Sequence, residues 1–506
     1  MLGRVIIFFL LLGFLSCDKQ NSSNPPNIIL FFVDDLGWQD TSVPFWNQET
    51  KFNKRYKTPN MERLSAKGIK FTNAYSTPVC SPTRVSLMTG MNAARHRVTN
   101  WTLRPDQIQP MEKNHPVLEF PFWNFNGMTT SEAVSNAALA TPLPELLKNA
   151  GYFTIHAGKA HLGAIGYPAE NPLNLGFDIN IAGHAAGAPG SYLGTDNFGN
   201  NDPLKKVWAV PGLEKYHGEN IFLTQALTQE AMEAMEKPLS EDQSFFLYFA
   251  PYGVHTPLMA DERFIEPYLK KGISLTEAKY ASMIESMDYA LGNLMDYIEA
   301  KGVENETVIL FMSDNGGLSA VARAGEKHIH NTPLNSGKGS IYEGGIRVPM
   351  LAYWPKVTPA NSIETTPLII EDFFPSILEI AQVERPETIQ TLDGQSFVPL
   401  LKSESQDRGA LFWHYPNAWG PSGPGIGSYS AIREGNWKLI YFHEKQKLEL
   451  YNLETDIGEK QDLVNQNQEK ASQLAKKLTE HLISVKAQMP KYKATQQFVP
   501  WPAEIL

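Results

Sequence analysis

Six short groups of polar side chains carry the chemistry open to this sequence: Asp34-Asp35, Cys80 with Arg84, Lys159 with His161, His255, Asp314-Asn315 and Lys338. Asp34, Asp35, Asp314 and Asn315 offer only oxygen donors, three of them anionic. That set suits Ca2+ or Mg2+ and poorly suits zinc or copper. Calcium takes about 6–8 oxygens, so these side chains leave room for oxygens of a substrate and a nucleophile. Arg84, Lys159 and Lys338 add fixed positive charge, and His161 and His255 can exchange protons near neutral pH. A hard cation, several fixed cations and two histidines make a site for transferring a tetrahedral oxyanion.

Cys80 lies in the stretch Pro78-Val79-Cys80-Ser81-Pro82-Thr83-Arg84, with Thr89-Gly90 beyond. Ser81 is a suitable N-cap and Pro82 a suitable first helical residue, which places Cys80 just outside a helix N-terminus. The positive end of that helix, with Arg84 one turn in, favours an anion beside Cys80. A lone cysteine is usually a small buried hydrophobe. The polar flanks of Cys80, one of two cysteines in 506 residues, argue against that reading.

Each polar group alone has a plainer meaning, since Asp-Asp and Asp-Asn-Gly-Gly are common turn signals. What precedes them sets them apart. Residues 27–33, 152–156, 245–250 and 307–313 are apolar runs rich in β-branched and aromatic residues, read as buried strands, and each runs into one of the groups. Thr58-Pro59 opens a helix closed by Gly68, and Thr141-Pro142 opens another stopped by Gly151. Ile284, Met287, Leu291, Leu294 and Ile298 keep helical spacing through 276–302. The alternation implies an α/β fold with a large, mostly parallel mixed sheet sandwiched by helices. Ligands of such sheets bind beyond the carboxyl ends of the strands, where the polar groups converge. Residues 163–215, rich in Gly, Pro, Asn and Ala, read as long loops over the site.

A chain of 506 residues exceeds one ordinary core, and its texture changes near Gln390. Residues 27–390 are read as a catalytic domain. Residues 391–506 are read as a smaller α+β domain with an antiparallel sheet, including 435–441 and 448–453, and a polar helix near 467–487. A net charge of −10 argues against nucleic acid as a partner. At the N-terminus, Arg4 and an apolar run from Val5 to Leu15 read as an export signal over 1–17, with a tether over 18–26. The run is shorter than the roughly 20 residues a membrane span needs. Cys17 resembles the lipid-attachment cysteine of bacterial lipoproteins, although Phe14 leaves plain cleavage as the alternative. The expected location is the periplasm or outer membrane of a bacterium, with membrane contact only through an anchor or signal. With Cys17 removed or lipidated, Cys80 has no disulfide partner.

Taken together, the motifs resemble those of type I sulfatases of the alkaline phosphatase superfamily. Besides the segment at Cys80, these are Asn27–Gly37, Gly158-Lys159-Ala160-His161-Leu162-Gly163, Val254-His255-Thr256-Pro257, Ser313-Asp314-Asn315-Gly316 and Gly337–Pro349. The resemblance implies that a formylglycine-generating or sulfatase-maturating enzyme oxidises Cys80 to formylglycine (3-oxoalanine). The hydrated aldehyde would then be nucleophile and metal ligand. A thiol is a soft ligand for an all-oxygen site, whereas a geminal diol matches it. The resemblance further implies that Asp34, Asp35, Asp314 and Asn315 hold Ca2+, with Mg2+ the second choice. Arg84 and Lys159 would steady the nucleophile and the sulfate charge, and His255 and Lys338 would contact the sulfate ester. His255 would protonate the leaving oxygen and His161 would be the base, two roles that can be exchanged.

Two departures from the family pattern stand out. Ala160 replaces a common Trp, which is expected to widen the site, and Asn335 stands where an arginine is frequent. The expected substrate is the end of a sulfated mono- or oligosaccharide, galactose or N-acetylgalactosamine sulfate. His184, in the loop from Ala182 to Tyr192, and the pair His328 and His330 are expected to line a sugar pocket. Trp413, His414 and Tyr415, or Trp419, are the candidate stacking surface. One rival is a phosphomonoesterase or phosphonate hydrolase, which the cysteine signature and the single set of oxygen ligands disfavour. The other is a non-catalytic glycan-binding lipoprotein, which predicts losses among the charged positions that this sequence does not have.

Overall fold

A computed structural model of the chain describes residues 24–505, so the export segment 1–17 and Cys17 lie outside the described residues. Nine strands form one central sheet. Across it the order is Ser362–Glu364, Ile69–Tyr75, Arg347–Tyr353, Thr307–Ser313, Asn27–Val33, Phe245–Ala250, Phe153–Gly158 and Ile179–Ile181, with Leu368–Ile369 also pairing Ile69–Tyr75. The central pairs are parallel. Arg347–Tyr353 runs antiparallel to both its neighbours, which makes the sheet mixed.

Every residue of the four strands ending at the polar groups is buried. Helices cover both faces, so these strands read as unbroken apolar runs. Successive side chains still alternate between two cores. Ile28, Leu30 and Phe32 pack with the helices Cys80–Thr89, Leu143–Asn149 and Phe373–Ile380. Ile29, Phe31 and Val33 pack with Pro59–Lys67, Leu223–Ser240 and Leu275–Ala300.

Three local expectations shift. The helix after Thr141 begins at Leu143, with Pro142 as its N-cap and Pro144 in the first turn, where a missing N–H costs nothing. The 163–215 region is mostly turns, but Ile179–Ile181 adds an edge strand beside Ile155–Ala157, too short to carry a periodic pattern. The helix bearing Cys80 starts earlier than expected. Val79 is its N-cap, Cys80 is its first residue, and Ser81 does not cap it. Thr83 Oγ1 instead accepts from Thr77 N at 3.1 Å and donates to the Val79 carbonyl at 3.2 Å, fixing the entry. The Ser81 hydroxyl accepts from Thr102 N at 3.1 Å.

A second, four-stranded antiparallel sheet runs in sequence order through Leu411–Tyr415, Tyr429–Glu434, Trp437–Phe442 and Lys447–Asn452. The helix Gln468–Ser484 lays Leu474, Leu478 and Leu482 over Leu439 and Leu450 on one face. Trp413, Tyr415, Tyr429 and Ala431 join the same core as Val79, Val85 and Ile341. The second sheet therefore packs on the segments that carry Cys80 and Lys338. Tyr429 OH donates to the Gly339 carbonyl at 3.0 Å, and Lys438 Nζ donates to the Ile341 carbonyl at 2.8 Å. Among the described residues no helix is long and apolar enough to cross a membrane.

Candidate active site

Strand pairing brings the polar groups together. Val33 pairs with Ser313, so Asp34 and Asp314 leave adjacent parallel strands side by side, and Asp314 N donates to the Val33 carbonyl at 2.9 Å. Gly158 pairs with Ala250 and delivers Lys159, whose N–H meets the Ala250 carbonyl at 2.6 Å. Gly158 has φ +108°, and a Cβ there would lie 2.0 Å from that carbonyl oxygen, so only glycine allows the approach.

The floor of the site is fully buried, and its three carboxylates are matched by three cations. Arg84 holds Asp314 Oδ2 with Nε at 3.0 Å and Nη2 at 2.8 Å. Lys159 Nζ lies 2.8 Å from Asp34 Oδ2, and Lys338 Nζ lies 2.6 Å from Asp35 Oδ1. Asn315 Nδ2 donates to Asp35 Oδ1 at 2.7 Å, which turns its carbonyl oxygen the other way. Three oxygens of the set, Asp34 Oδ1, Asp35 Oδ2 and Asn315 Oδ1, are buried without a hydrogen-bond partner. Buried acceptors are seldom left unpaired. Three in one cluster of hard donors are what a divalent cation would satisfy, and the residues fit calcium.

The charges divide accordingly. Burial and the nearby Asp314 carboxylate push the Asp34 carboxyl up. Burial works against ionisation of Asp35 too, but Lys338, His255 and Lys159 outweigh it and bring its carboxyl to about 2. Burial raises the Cys80 thiol despite Lys159 and Lys338, so the unmodified residue is a poor thiolate.

Both histidines are neutral rings. Burial, with Lys159 and Arg84 close by, holds His161 well below its usual value. Its Nε2 sits 2.9 Å from the Thr102 carbonyl and so carries the proton, while Nδ1 is buried and unpartnered. Burial and Lys338 lower His255 to about 3. Its Nδ1 lies 2.8 Å from the Thr256 carbonyl, and Nε2 lies 3.6 Å from Asp35 Oδ2. Asp34, Asp35 and His255 present ligand atoms within 4.8 Å of one another.

Above this floor opens a cavity of about 570 Å³ whose lining includes Cys80, His161, His255 and Lys338. Gly187, Ala188, Pro189 and Gly190 form one wall, as expected of the loop from Ala182 to Tyr192. Trp419 also lines the cavity, whereas Trp413, His414 and Tyr415 are spent on structure. Trp413 Nε1 donates to the Ser76 carbonyl at 2.9 Å, and Tyr415 OH donates to Asn100 Oδ1 at 2.8 Å.

The three histidines expected in a sugar pocket lie outside the lining. His184 supports His161 through its carbonyl, which accepts His161 N at 3.2 Å. His328 packs on Gly423, where an added Cβ would meet its ring. His330 is buried with both ring nitrogens engaged, by Ser319 Oγ and the Ala324 carbonyl. Ala160 is fully buried and outside the lining as well, so its small size does not widen the cavity. Asn335 uses its carbonyl to accept Gly344 N at 2.9 Å. The sequence reading missed Trp101, Trp208, Lys205, Leu318 and Val321, all in the lining. Trp208 and Lys205 fall inside the loop region expected over the site, and an aromatic and a cation there were the available signal.

A model of the sulfatase family matches residues 26–383, and a model described as N-sulphoglucosamine sulphohydrolase, C-terminal, matches residues 336–488. A sulfatase from Formosa agariphila is 30% identical over 556 residues, which covers 99% of this chain and 97% of that protein. An N-acetylgalactosamine-6-sulfatase from Mus musculus is 31% identical over 417 residues, 80% of this chain and 72% of the enzyme. The crystal structure of Ps i-CgsB, also solved in complex with k-i-k-neocarrahexaose, is similar with a TM-score of 0.69 at 28% identity, covering 91% of this chain and 93% of the other.

Proposed function

The chain belongs to the sulfatase family of the alkaline phosphatase superfamily and is a sulfuric ester hydrolase; from that premise we propose that it removes a sulfate monoester from a carbohydrate, using Ca2+ and a formylglycine made from Cys80. The observation that carries the reading is the cluster of unpartnered oxygens on Asp34, Asp35 and Asn315 beside Cys80. Relatives named for N-acetylgalactosamine sulfate and a structure holding a neocarrahexaose support a sulfated galactose or N-acetylgalactosamine as substrate.

Asp34, Asp35, Asp314 and Asn315 would hold the calcium, which adds two positive charges to a floor otherwise balanced and so favours the sulfate anion. The aldehyde hydrate at position 80 would supply an oxygen nucleophile in place of a thiol that burial keeps protonated. Lys338, at the cavity floor, binds the sulfate ester. Arg84 and Lys159 lie behind it and hold Asp314 and Asp34 in place. His161 Nδ1, neutral and unpartnered, is poised to take a proton at position 80. His255 lines the cavity, and the negative charge of a bound ester would favour uptake of a proton from water at its Nε2, which it would then hand to the leaving oxygen. The protein is further read as exported, with Cys17 as its lipid anchor and a maturating enzyme as its partner.

Two measurements test this. Mass spectrometry of the Cys80 peptide from the native host is expected to show the aldehyde. A panel of sulfated sugars is expected to release sulfate faster than 4-nitrophenyl phosphate releases phosphate. An unmodified thiol, or the opposite preference, would sink the reading.

A further inference from the structure

The cations on the cavity floor are spoken for, each within 2.8 Å of a carboxylate oxygen. Lys205 is not. Its ion pair is with Asp202 at 4.0 Å, between side chains 48% and 41% exposed, a contact of little worth in water. Asp202 meanwhile spends Oδ1 on the Leu204 N–H at 2.9 Å. Among the described residues that line the cavity there is no Asp or Glu. In a chain of net charge −10, Lys205 is thus a weakly paired cation on a cavity lined by no acidic residue.

The backbone that carries it is held to the cavity wall. The Lys205 turn, Pro203–Trp208, is tied to the cavity wall by Gly190 N, which donates to the Trp208 carbonyl at 2.6 Å. Trp208 and Trp101 pack on Leu103, Ala185 and Ala186, remain half-buried and line the cavity. Lys338 is 5% exposed and Lys205 is 48% exposed, so the two mark the floor and the mouth of one cavity. A ligand whose sulfate sits at Lys338 and whose ring rests on the tryptophans extends its next unit toward Lys205.

We propose that Lys205 is a specificity-determining residue that reads a second anionic group, a sulfate ester or a carboxylate, on the sugar next to the one that loses its sulfate. This rests on the carbohydrate sulfatase reading and adds that the preferred substrate is at least a disaccharide with two negative charges. An anionic group gains from the field of a cation at the cavity mouth and a neutral one does not, a gain that salt screens because Lys205 is half exposed.

The test is a calorimetric titration of the protein with Cys80 unmodified, which binds without turnover. The probes are a monosulfated galactan disaccharide, its counterpart sulfated on both sugars, and a sulfated N-acetylgalactosamine disaccharide with a uronate neighbour. Lys205→Gln is expected to weaken binding of one or both dianionic probes about tenfold and leave the monosulfated probe unchanged, with the difference fading at high salt. Lys205→Arg is expected to retain it. Whether the disulfated or the uronate probe responds identifies the anion. Equal weakening of all three probes, or of none, would overturn the proposal. Failure of the sulfatase reading would show separately, as no sulfate released by protein carrying the aldehyde.

Discussion

Lys338 Nζ lies 2.6 Å from Asp35 Oδ1, and the contact is arranged by the second sheet as much as by the first. The peptide following Lys338 is held from the C-terminal side, by Tyr429 OH on the Gly339 carbonyl at 3.0 Å and by Ile341 N on the Gly425 carbonyl at 3.0 Å. Trp419 lies against Gly339, where a Cβ would meet its ring at 2.0 Å. The C-terminal region therefore places the Lys338 cation and supplies an aromatic wall of the cavity.

Tyr429→Phe tests that arrangement. The ring keeps its stacking on Tyr415, at 5.4 Å between centroids, but the buried Gly339 carbonyl loses its donor. Leaving such an acceptor unpaired costs about 1–3 kcal/mol. The variant is expected to melt lower and to hydrolyse substrate several-fold more slowly, because Lys338 loses its support. Unchanged kinetics in a destabilised variant would show that Lys338 is positioned without Tyr429.

Calcium is expected to stabilise the fold, because the cluster of unpartnered oxygens exists only in the native state. At a hundred times its dissociation constant a bound ion adds about 2.7 kcal/mol. Scanning calorimetry should give a lower melting temperature in chelator, restored by Ca2+ and less fully by Mg2+. The same melting temperature in both conditions, with no calcium by elemental analysis, would remove the ion from the site.

A pH dependence follows from His414, which is buried in the second sheet between Ser430 Oγ at 2.8 Å and the Gln488 carbonyl at 3.0 Å. Burial lowers it to about 4, against about 6.5 in the unfolded chain. Between those values the unfolded chain binds a proton that the folded one refuses, so stability falls as pH falls. The slope is about 1.4 kcal/mol per pH unit, and above pH 6.5 the effect vanishes. Comparing wild type with His414→Gln cancels the other titrating groups. The wild type should lose ground to the variant as the pH is lowered from 6.5 to 4, and a pH-independent difference would count against a neutral His414.

The central strands and the site floor were legible in the sequence for one reason. Thr307–Ser313 and its partners are buried on both faces, so each shows as an apolar run, and three of the four stop directly at a charged residue of the site floor, Asp34, Lys159 or Asp314. The N-cap differs because Ser81 is a good capping residue by type but spends its hydroxyl on the distant Thr102 N–H, while a local Thr77–Thr83 pair with no sequence signature fixes the helix start. The cavity wall was less legible. Loop histidines such as His330 look like ligands in sequence, but satisfying their own nitrogens in the fold removes them. Trp101 and Trp208 reach the cavity only through loop packing, which has no periodic signature.

The last prediction concerns Arg323, which ties one cavity wall to the Asp34-Asp35 turn. Its side chain is fully buried and pairs with Asp40 at 3.0 Å and Glu277 at 2.8 Å, with its guanidinium 4.2 Å from the Tyr280 ring. Tyr280 OH bonds Asp40 Oδ2 at 2.8 Å and the Asp35 carbonyl at 3.2 Å, so the loop holding Leu318 and Val321 shares an anchor with Asp35. Arg323→Met would leave the buried Asp40 without a cation, while Glu277 keeps Arg55 at 2.7 Å, and cost about 3–5 kcal/mol, a result any structural ion pair would give. Arg323→Lys is the sharper probe. It keeps the charge but cannot fork between both acids, so the wall should loosen while the floor stays intact. For an oligosaccharide substrate KM is expected to rise several-fold with kcat nearly unchanged, and sulfate release from a monosaccharide too short to touch the wall should be spared. If Arg323→Lys lowers only the melting temperature, the anchor serves the fold alone.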